Sequence, residues 1–364
     1  MTAISVELLD AKHFARAGRL WQICFSAPYD IFATQQYIEK QLGQLFGAFE
    51  GGELAATCGV INFSTQLGGR AVSCAGICAV ATHPSFRRRG LTNVLMERAL
   101  SEAHGRGDAI AALWPFSYPF YERYGFQVTD RQYKVTAQLA NLHKRPIGDA
   151  ARYGEAAAPC ALDKVTAEAD SALELLAGLH HQWCRLHSLG FARDHHRWLR
   201  IFGRPGSSWL VLTHLQGYMI IDWSSSKETL QVREWCYLTA EAFADGLAWL
   251  AQMDSQFQSA CWTAASIDEI YRLNLHSLVK VEVLPGMMSR VLNSGELQKA
   301  LELSFDDKLQ IADPLSLSGN VTGAGPAIGP GELMQELVAF HSSARSGMEF
   351  LYGRGGKAFS VEKF

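Results

Sequence analysis

None of the eight cysteines pairs with another at C-x-x-C spacing, so no compact thiolate metal motif is present. Cys58 and Cys78 fall in apolar, strand-like runs, where a free thiol acts as a small hydrophobe. A reduced, cytoplasmic protein is expected from that usage. No apolar run approaches the ~18 residues needed to span a bilayer. The first residues, MTAISVELLDAKHFARAG, carry acids early and have no continuous apolar centre, so they do not read as a signal peptide. Charge of one sign is also lacking. A formal net charge of -3 gives no general pull toward nucleic acid or an anionic membrane, so neither is expected as a partner. There is no internal sequence repeat and no acidic run that would announce a pocket for a polycation.

What is present is material for more than one core. With 364 residues, 48% hydrophobic and 19% charged, the chain reads as a globular protein of two or three domains. An amphipathic helix is expected over 11–25, and strands over 45–49, 54–63 and 72–81 around the turns Glu50–Glu53 and Gly68-Gly69. A helix over 90–105 and a strand over 109–114 follow, parallel to the strand before them through a crossover. The run 126–139 reads as one further strand, and Lys144–Ala158 as a polar linker. Helices over 167–187 and 195–202, strands over 209–213, 217–223 and 230–238, a helix over 240–253 and a strand over 260–263 repeat that order. The run 279–291 reads as a strand pair around Pro285-Gly286. A helix over 295–302, a Gly/Ser-rich loop over 316–331 and a last helix from Pro330 complete the chain. Domains are expected over 1–140, 141–282 and 283–364.

The chain is organised around Ala79–Thr92, AVATHPSFRRRGLT. An apolar strand breaks at His83-Pro84, three arginines and a glycine follow, and Leu91, Val94, Leu95, Ala99 and Leu100 then recur at helical spacing. Strand, basic turn and helix start point backbone N–H groups outward at the positive end of a helix dipole, which suits an anion. Gly90 lets the backbone approach a phosphate closely, and Arg87, Arg88 and Arg89 add charge and donors. Spacing alone leaves a second reading open, a solvated basic turn before an ordinary amphipathic helix.

Arg87-x-x-Gly90-x-Thr92 resembles the pyrophosphate loop of GNAT acyltransferases, Arg/Gln-x-x-Gly-x-Gly/Ala, with Thr92 at its last position. Some thirty residues on, Leu113–Phe126, LWPFSYPFYERYGF, resembles the strand, short helix and "YGF" turn of the same family, in the version of the enhanced intracellular survival (Eis) acetyltransferases. The resemblance implies an α+β / α/β fold. Two tandem GNAT-like domains with mixed central sheets flanked by helices, the second degenerate, precede a small sterol-carrier-like C-terminal module. It implies acetyl-CoA as co-substrate, a small-molecule or lysine amine as acceptor, no metal, and a homo-oligomer, hexameric in that family. The CoA contacts it implies are Val80 and Thr82 through backbone, then Arg87, Arg88, Arg89, Gly90, Leu91 and Thr92. Its pantetheine arm would lie between the two parallel strands.

The implied chemistry is acyl transfer from a thioester to an amine in a ternary complex. An amine of pKa ~10.4 stands about 3.4 units from neutral at pH 7, roughly 4.6 kcal/mol. A base, an acid for the departing thiolate and an oxyanion donor on the strand before the turn therefore help. The family's acid falls on Tyr121, which from the sequence alone reads equally as a packed core aromatic. Its base falls on the terminal carboxylate of Phe364; the plain alternative is a frayed terminus. The other class of reading is a non-catalytic CoA- or lipid-binding protein with a vestigial site. One rival constellation stands apart. His180, Cys184 and His187 share a helical face, with His181, His195 and His196 nearby, at a spacing that suits zinc, but no carboxylate or second cysteine completes the set.

Overall fold

The computed structural model describes residues 4–26, 38–40, 42–144, 154–156, 167–202, 208–224, 226–264, 270, 275–305, 309–318 and 327–343. Two seven-stranded sheets dominate it. The first begins with an antiparallel meander: β1 (Ile4–Leu8), β2 (Gln44–Glu50), β3 (Glu53–Leu67) and β4 (Arg70–Thr82). β5 (Ile110–Leu113) then pairs parallel to β4, as the crossover through a helix requires. Side-chain alternation sends Cys74 and Cys78 of β4 and Ile110 and Ala112 of β5 to one core, with α1 (Ala11–Phe25). Ala75, Ile77, Ala111 and Leu113 face the other core, shared with α2 (Leu91–Arg106) and the short α3 (Tyr118–Glu122).

The second sheet has the same logic. β9 (Trp209–His214), β10 (Gly217–Asp222) and β11 (Thr229–Tyr237) form a meander, and β12 (Ser259–Ala264) pairs parallel to β11. β8 (Gly154–Ala156) joins at the β9 edge. In β10, Tyr218 and Ile220 pack against α4 (Ala167–Leu186) and α5 (His195–Phe202). Met219 and Ile221 pack on the opposite face, against α6 (Ala240–Ala251). The expected order of elements is therefore present in both halves, on mixed sheets flanked by helices.

Two expectations fail at the crossings between the sheets. The run 126–139 is two strands, β6 (Gln127–Val128) in the first sheet and β7 (Arg131–Gln138) in the second. The run 279–291 is not a hairpin: β13 (Val279–Pro285) pairs with β7, whereas β14 (Met288–Val291) inserts between β5 and β6. The two crossings clasp each other. Thr129 N donates to Met287 O at 3.1 Å, Gly286 N donates to Asp130 O at 3.3 Å, and Met287 N donates to Asp130 Oδ1. A Cβ on Gly286 would overlap the Asp130 carboxylate and displace it from Met287 N. Alternating apolar residues specify a strand but not which sheet it joins, and the turn residues between paired strands look the same as those between sheets.

The boundaries expected at 140 and 283 therefore do not coincide with the sheets. β7 lies before residue 140 but belongs to the second sheet, and β14 lies after 283 but belongs to the first. α7 (Ser294–Leu301) and α8 (Pro330–Ser343) bury Leu297, Leu301, Leu333, Met334, Leu337 and Val338 in the same core as α1. β15 (Gln310–Ile311) and β16 (Ala327–Ile328) make a small parallel pair beside them. Among the described residues, the C-terminal part thus completes the first domain. Arg290, fully buried on β14, pins it there through Asp313 Oδ2 at 2.5 Å, Ser318 Oγ at 3.1 Å and the carbonyl of Tyr124.

Candidate active site

The arginine turn leads from β4 into α2. Pro84–Phe86 form one 3₁₀ turn, Arg88 and Gly90 adopt left-handed backbone angles (φ 64° and 79°), and α2 begins at Leu91. Gly90 is the N-cap residue and offers no side chain to the orphan donors of the first turn. Asn93 N is satisfied by Gly90 O at 3.0 Å, whereas the N–H groups of Gly90, Leu91 and Thr92 donate to no described residue. A Cβ on Gly90 would meet nothing within 4 Å, so no other group packs against the turn at that point.

These groups face a pocket of about 350 Å³ lined by Thr82, Phe86, Arg87–Asn93, Phe120 and Arg123. Its arginines are placed differently. Arg87 Nε donates to Thr82 O at 3.3 Å, and Arg89 pairs with Glu50 Oε1 at 2.7 Å and lies over the Phe86 ring at 5.2 Å. Arg123 lies over the Phe120 ring at 4.8 Å, and the exposed Arg88 makes no side-chain bond to a described residue. Among the described residues only the Arg89 charge of this pocket is paired with an acid, so the pocket is a concentrated positive patch on a chain of slightly negative net charge. Thr92 Oγ1 meets Thr82 Oγ1 at 2.8 Å and ties the helix start to the strand end.

The second sheet supplies an internal comparison. α6 follows β11 as α2 follows β4, and each leads to a parallel strand. The α6 N-cap is Thr239, whose hydroxyl accepts from Ala242 N at 3.2 Å. The same helix terminus is closed by its own side chain there and left open at Gly90.

Beyond the pocket, β4 and β5 part. Their pairing ends at Ile77 with Leu113, while β4 continues to Thr82. Within that unpaired end β4 bulges. Thr57 of β3 faces Ala81 and Gly59 faces Cys78, so Ala79 and Val80 together oppose Cys58. Ala79 takes a left-handed angle, φ 49°. Tyr121 of α3 packs beside this bulge, 2% exposed, ringed by Phe116, Phe120 and Phe126. Burial, then the neighbouring Cys58, Tyr124 and Cys78, push its phenol well above the usual tyrosine range. The hydroxyl hydrogen-bonds no described residue, so the group is a neutral O–H donor with no acceptor among them. Tyr124 is different: its hydroxyl donates to Asn93 Oδ1 at 2.5 Å, and burial pushes it up to about 12.

The structure therefore brings Arg87, Arg88, Arg89, Gly90, Leu91, Thr92 and Thr82 to one pocket. It places Val80 on the bulge and Tyr121 beside it. The Thr82 carbonyl is engaged by Arg87 Nε and by Cys24 Sγ at 3.4 Å. Phe364 lies outside the described residues. The sequence reading missed Asn93 and Arg123 as pocket residues, and Thr57 and Trp21 behind the bulge. Arg123 lies within the Leu113–Phe126 motif; the others carry no local signal.

The histidine constellation resolves otherwise. His180 is buried, with Nδ1 3.0 Å from Tyr218 Oη and Nε2 3.0 Å from Phe191 O. His187 Nδ1 lies 2.7 Å from Trp183 O, and His181, His195 and His196 are exposed. The buried atoms of His180, Glu234 and Cys236 do cluster, but both Glu234 oxygens accept from Arg193, at 2.8 and 2.6 Å. The cation of this cluster is a guanidinium, and the ring nitrogens of His180 are already bonded.

Residues 5–129 match the acetyltransferase (GNAT) domain family, and residues 189–291 match a second acetyltransferase (GNAT) domain family. An uncharacterized N-acetyltransferase of Streptomyces griseus is 32% identical over 150 residues, 40% of this chain and 36% of its own length. One from Streptomyces avermitilis is 40% identical over 81 residues, 22% of this chain and 19% of its own. The matches thus span about a third or less of these relatives. Among solved structures, a GCN5-related N-acetyltransferase from Anabaena variabilis superposes over the full length of both chains with a TM-score of 0.80 at 15% identity. Eis1 from Mycobacterium abscessus does so with a TM-score of 0.74 at 18% identity. At those identities the likeness concerns the fold.

Proposed function

We propose that this chain, whose two large domains are both GNAT acetyltransferase domains, is an N-acetyltransferase that uses acetyl-CoA and acts at the first domain alone. The observation that carries this reading is the uncapped N-terminus of α2. Three main-chain donors and a patch of guanidinium groups face one open pocket, where the equivalent terminus of α6 is closed by Thr239. A diphosphate there would leave the pantetheine arm to run where β4 and β5 part, and would bring the thioester to the bulge beside Tyr121.

In the reaction, the neutral amine nitrogen attacks the acetyl carbonyl carbon, forming the C–N bond as the C–S bond breaks. The carbonyl oxygen gains charge and needs a donor at the bulge, and the CoA sulfur leaves as a thiolate. Tyr121 is the donor to that sulfur. Because its phenol stays neutral far above physiological pH, it reaches the departing thiolate as an intact O–H. The proton lost by the amine goes to a base, for which the family resemblance offers the Phe364 carboxylate. Adding one residue after Phe364 is expected to cut turnover sharply, and unchanged turnover would remove that role. Resemblance to the Eis proteins also makes an aminoglycoside-like molecule, a polyamine or a lysine side chain the acceptor and a homo-oligomer the working form, and the scattered, unpaired cysteines favour the cytoplasm as the setting. A sterol-carrier-like role for the C-terminal residues rests on that same resemblance.

The test is a thiol-release assay with acetyl-CoA and a panel of such amines. CoA release with at least one amine is expected. Tight CoA binding without release for any amine would favour a non-catalytic CoA-binding protein.

A further inference from the structure

The bulge in β4 is held from behind by side chains that do not reach the pocket. Thr57, on β3 and wholly buried, donates its hydroxyl to the Ala79 carbonyl at 2.8 Å, and the same oxygen accepts the indole N–H of Trp21, on α1, at 2.9 Å. The relay therefore has a fixed direction: Trp21 can only donate, so the Thr57 proton is committed to Ala79. The peptide joining Ala79 to Val80 is planar and trans, since the described chain has no cis bonds. In such a unit the C=O and the following N–H point in opposite directions. Drawing the Ala79 carbonyl toward Thr57 therefore turns the Val80 N–H away from it. Val80 has no register partner on β3, and the β5 pairing has ended three residues earlier, at Ile77.

We propose that the Trp21–Thr57 relay is the positioning device that aims the Val80 N–H at the oxygen of the acyl carbonyl, so that Thr57 governs transition-state stabilisation without touching substrate. This rests on the proposed function and adds to it which residues set the oxyanion donor. Ala79 makes the device necessary. A non-glycine residue at φ 49° sits in a disfavoured region, and such a conformation persists only where its surroundings over-determine it. Threonine suits the position because its hydroxyl both accepts and donates; valine has the same shape and does neither.

The experiment uses Thr57→Val, Thr57→Ser and Trp21→Phe in the full chain. Steady-state rates are measured with the best amine. Affinities are measured by calorimetry for CoA, for acetonyl-CoA, which keeps a carbonyl next to the methylene-bridged sulfur, and for S-propyl-CoA, which lacks it. Thr57→Val is expected to lower kcat by tenfold or more, up to the roughly 10²–10³ that outright removal of an oxyanion donor costs, with KM for acetyl-CoA and affinity for CoA little changed. The preference for acetonyl-CoA over S-propyl-CoA should shrink in step, Thr57→Ser should restore both readouts, and Trp21→Phe should move both in the same direction by less. A general packing defect would weaken CoA binding and lower the melting temperature without touching that preference. Equal kcat and equal preference in Thr57→Val and wild type would overturn the proposal. The ligand preference needs no turnover, so it reads the relay even if no amine is acetylated. A wild type that binds none of the three ligands would overturn the proposed function and this proposal together.

Discussion

Tyr121 and Tyr124 sit three residues apart in one aromatic cluster, yet their hydroxyls have opposite circumstances. The Tyr124 hydroxyl is spent on Asn93, whereas that of Tyr121 has no partner among the described residues. Loss of the two oxygens should therefore be felt in different experiments. Tyr121→Phe removes no hydrogen bond to a described residue, so its melting temperature should match the wild type while turnover falls by roughly 10²-fold, about what one hydrogen-bond donor to developing charge contributes. Tyr124→Phe should leave Asn93 Oδ1 without its donor and cost about 1 kcal/mol in denaturant titrations. The sequence distinguished the two only through the family motif, because both are aromatic residues at helical spacing. What separates them is which atom lies across the fold, and Asn93 is 31 residues from Tyr124.

At the scale of elements, the turn before α2 was readable because its chemistry is local. A strand, a basic run and a glycine at the N-cap are all consecutive in the chain, and the open N–H groups follow from Gly90 having no side chain. Gly90→Ala adds no clash but forces an alanine to φ 79°, so a loss of roughly 1 kcal/mol in stability is expected, together with weaker CoA binding from a methyl in the cradle. Arg87→Glu should raise the dissociation constant for CoA at least tenfold at low salt, and by less as salt is added. An unchanged constant would take the diphosphate out of this pocket. The bulge and the two crossings were not readable in the same way. Each depends on residues far apart, Thr57 with Ala79 and Asp130 with Gly286, and the pattern 279–291 fits a hairpin as well as two strands in separate sheets.

The whole molecule is two sheets exchanging strands at one seam, with a buried polar network in the half that lacks the open helix. Burial, and then Arg193, push the His180 imidazole from its ordinary 6.5 down to about 3. Burial raises the Glu234 carboxyl, but its pairing with Arg193, with help from His180 and Tyr218, prevails and takes it from 4.5 to about 2. In both cases the unfolded chain binds a proton that the folded chain refuses. Stability is therefore fully present above pH 6.5, starts to fall below it through His180 and falls more steeply below 4.5 as Glu234 joins. Melting temperatures recorded from pH 8 to 4 should show that order, and His180→Gln should flatten the part between 6.5 and 4.5. Activity in the first domain would be lost in acid along with the second domain's fold, because β7 and β14 tie the two sheets through Asp130 and Gly286.

All of this depends on the open start of α2 gripping a diphosphate. The most direct test follows the backbone amide signals of Gly90, Leu91 and Thr92 by NMR while CoA is titrated into the full chain, with pantetheine, which has no diphosphate, as the comparison. Large downfield shifts of these three amides are expected with CoA and none with pantetheine, while the Ala242 amide at the closed start of α6 stays still. Saturation with CoA that leaves the three amides where they were would contradict it.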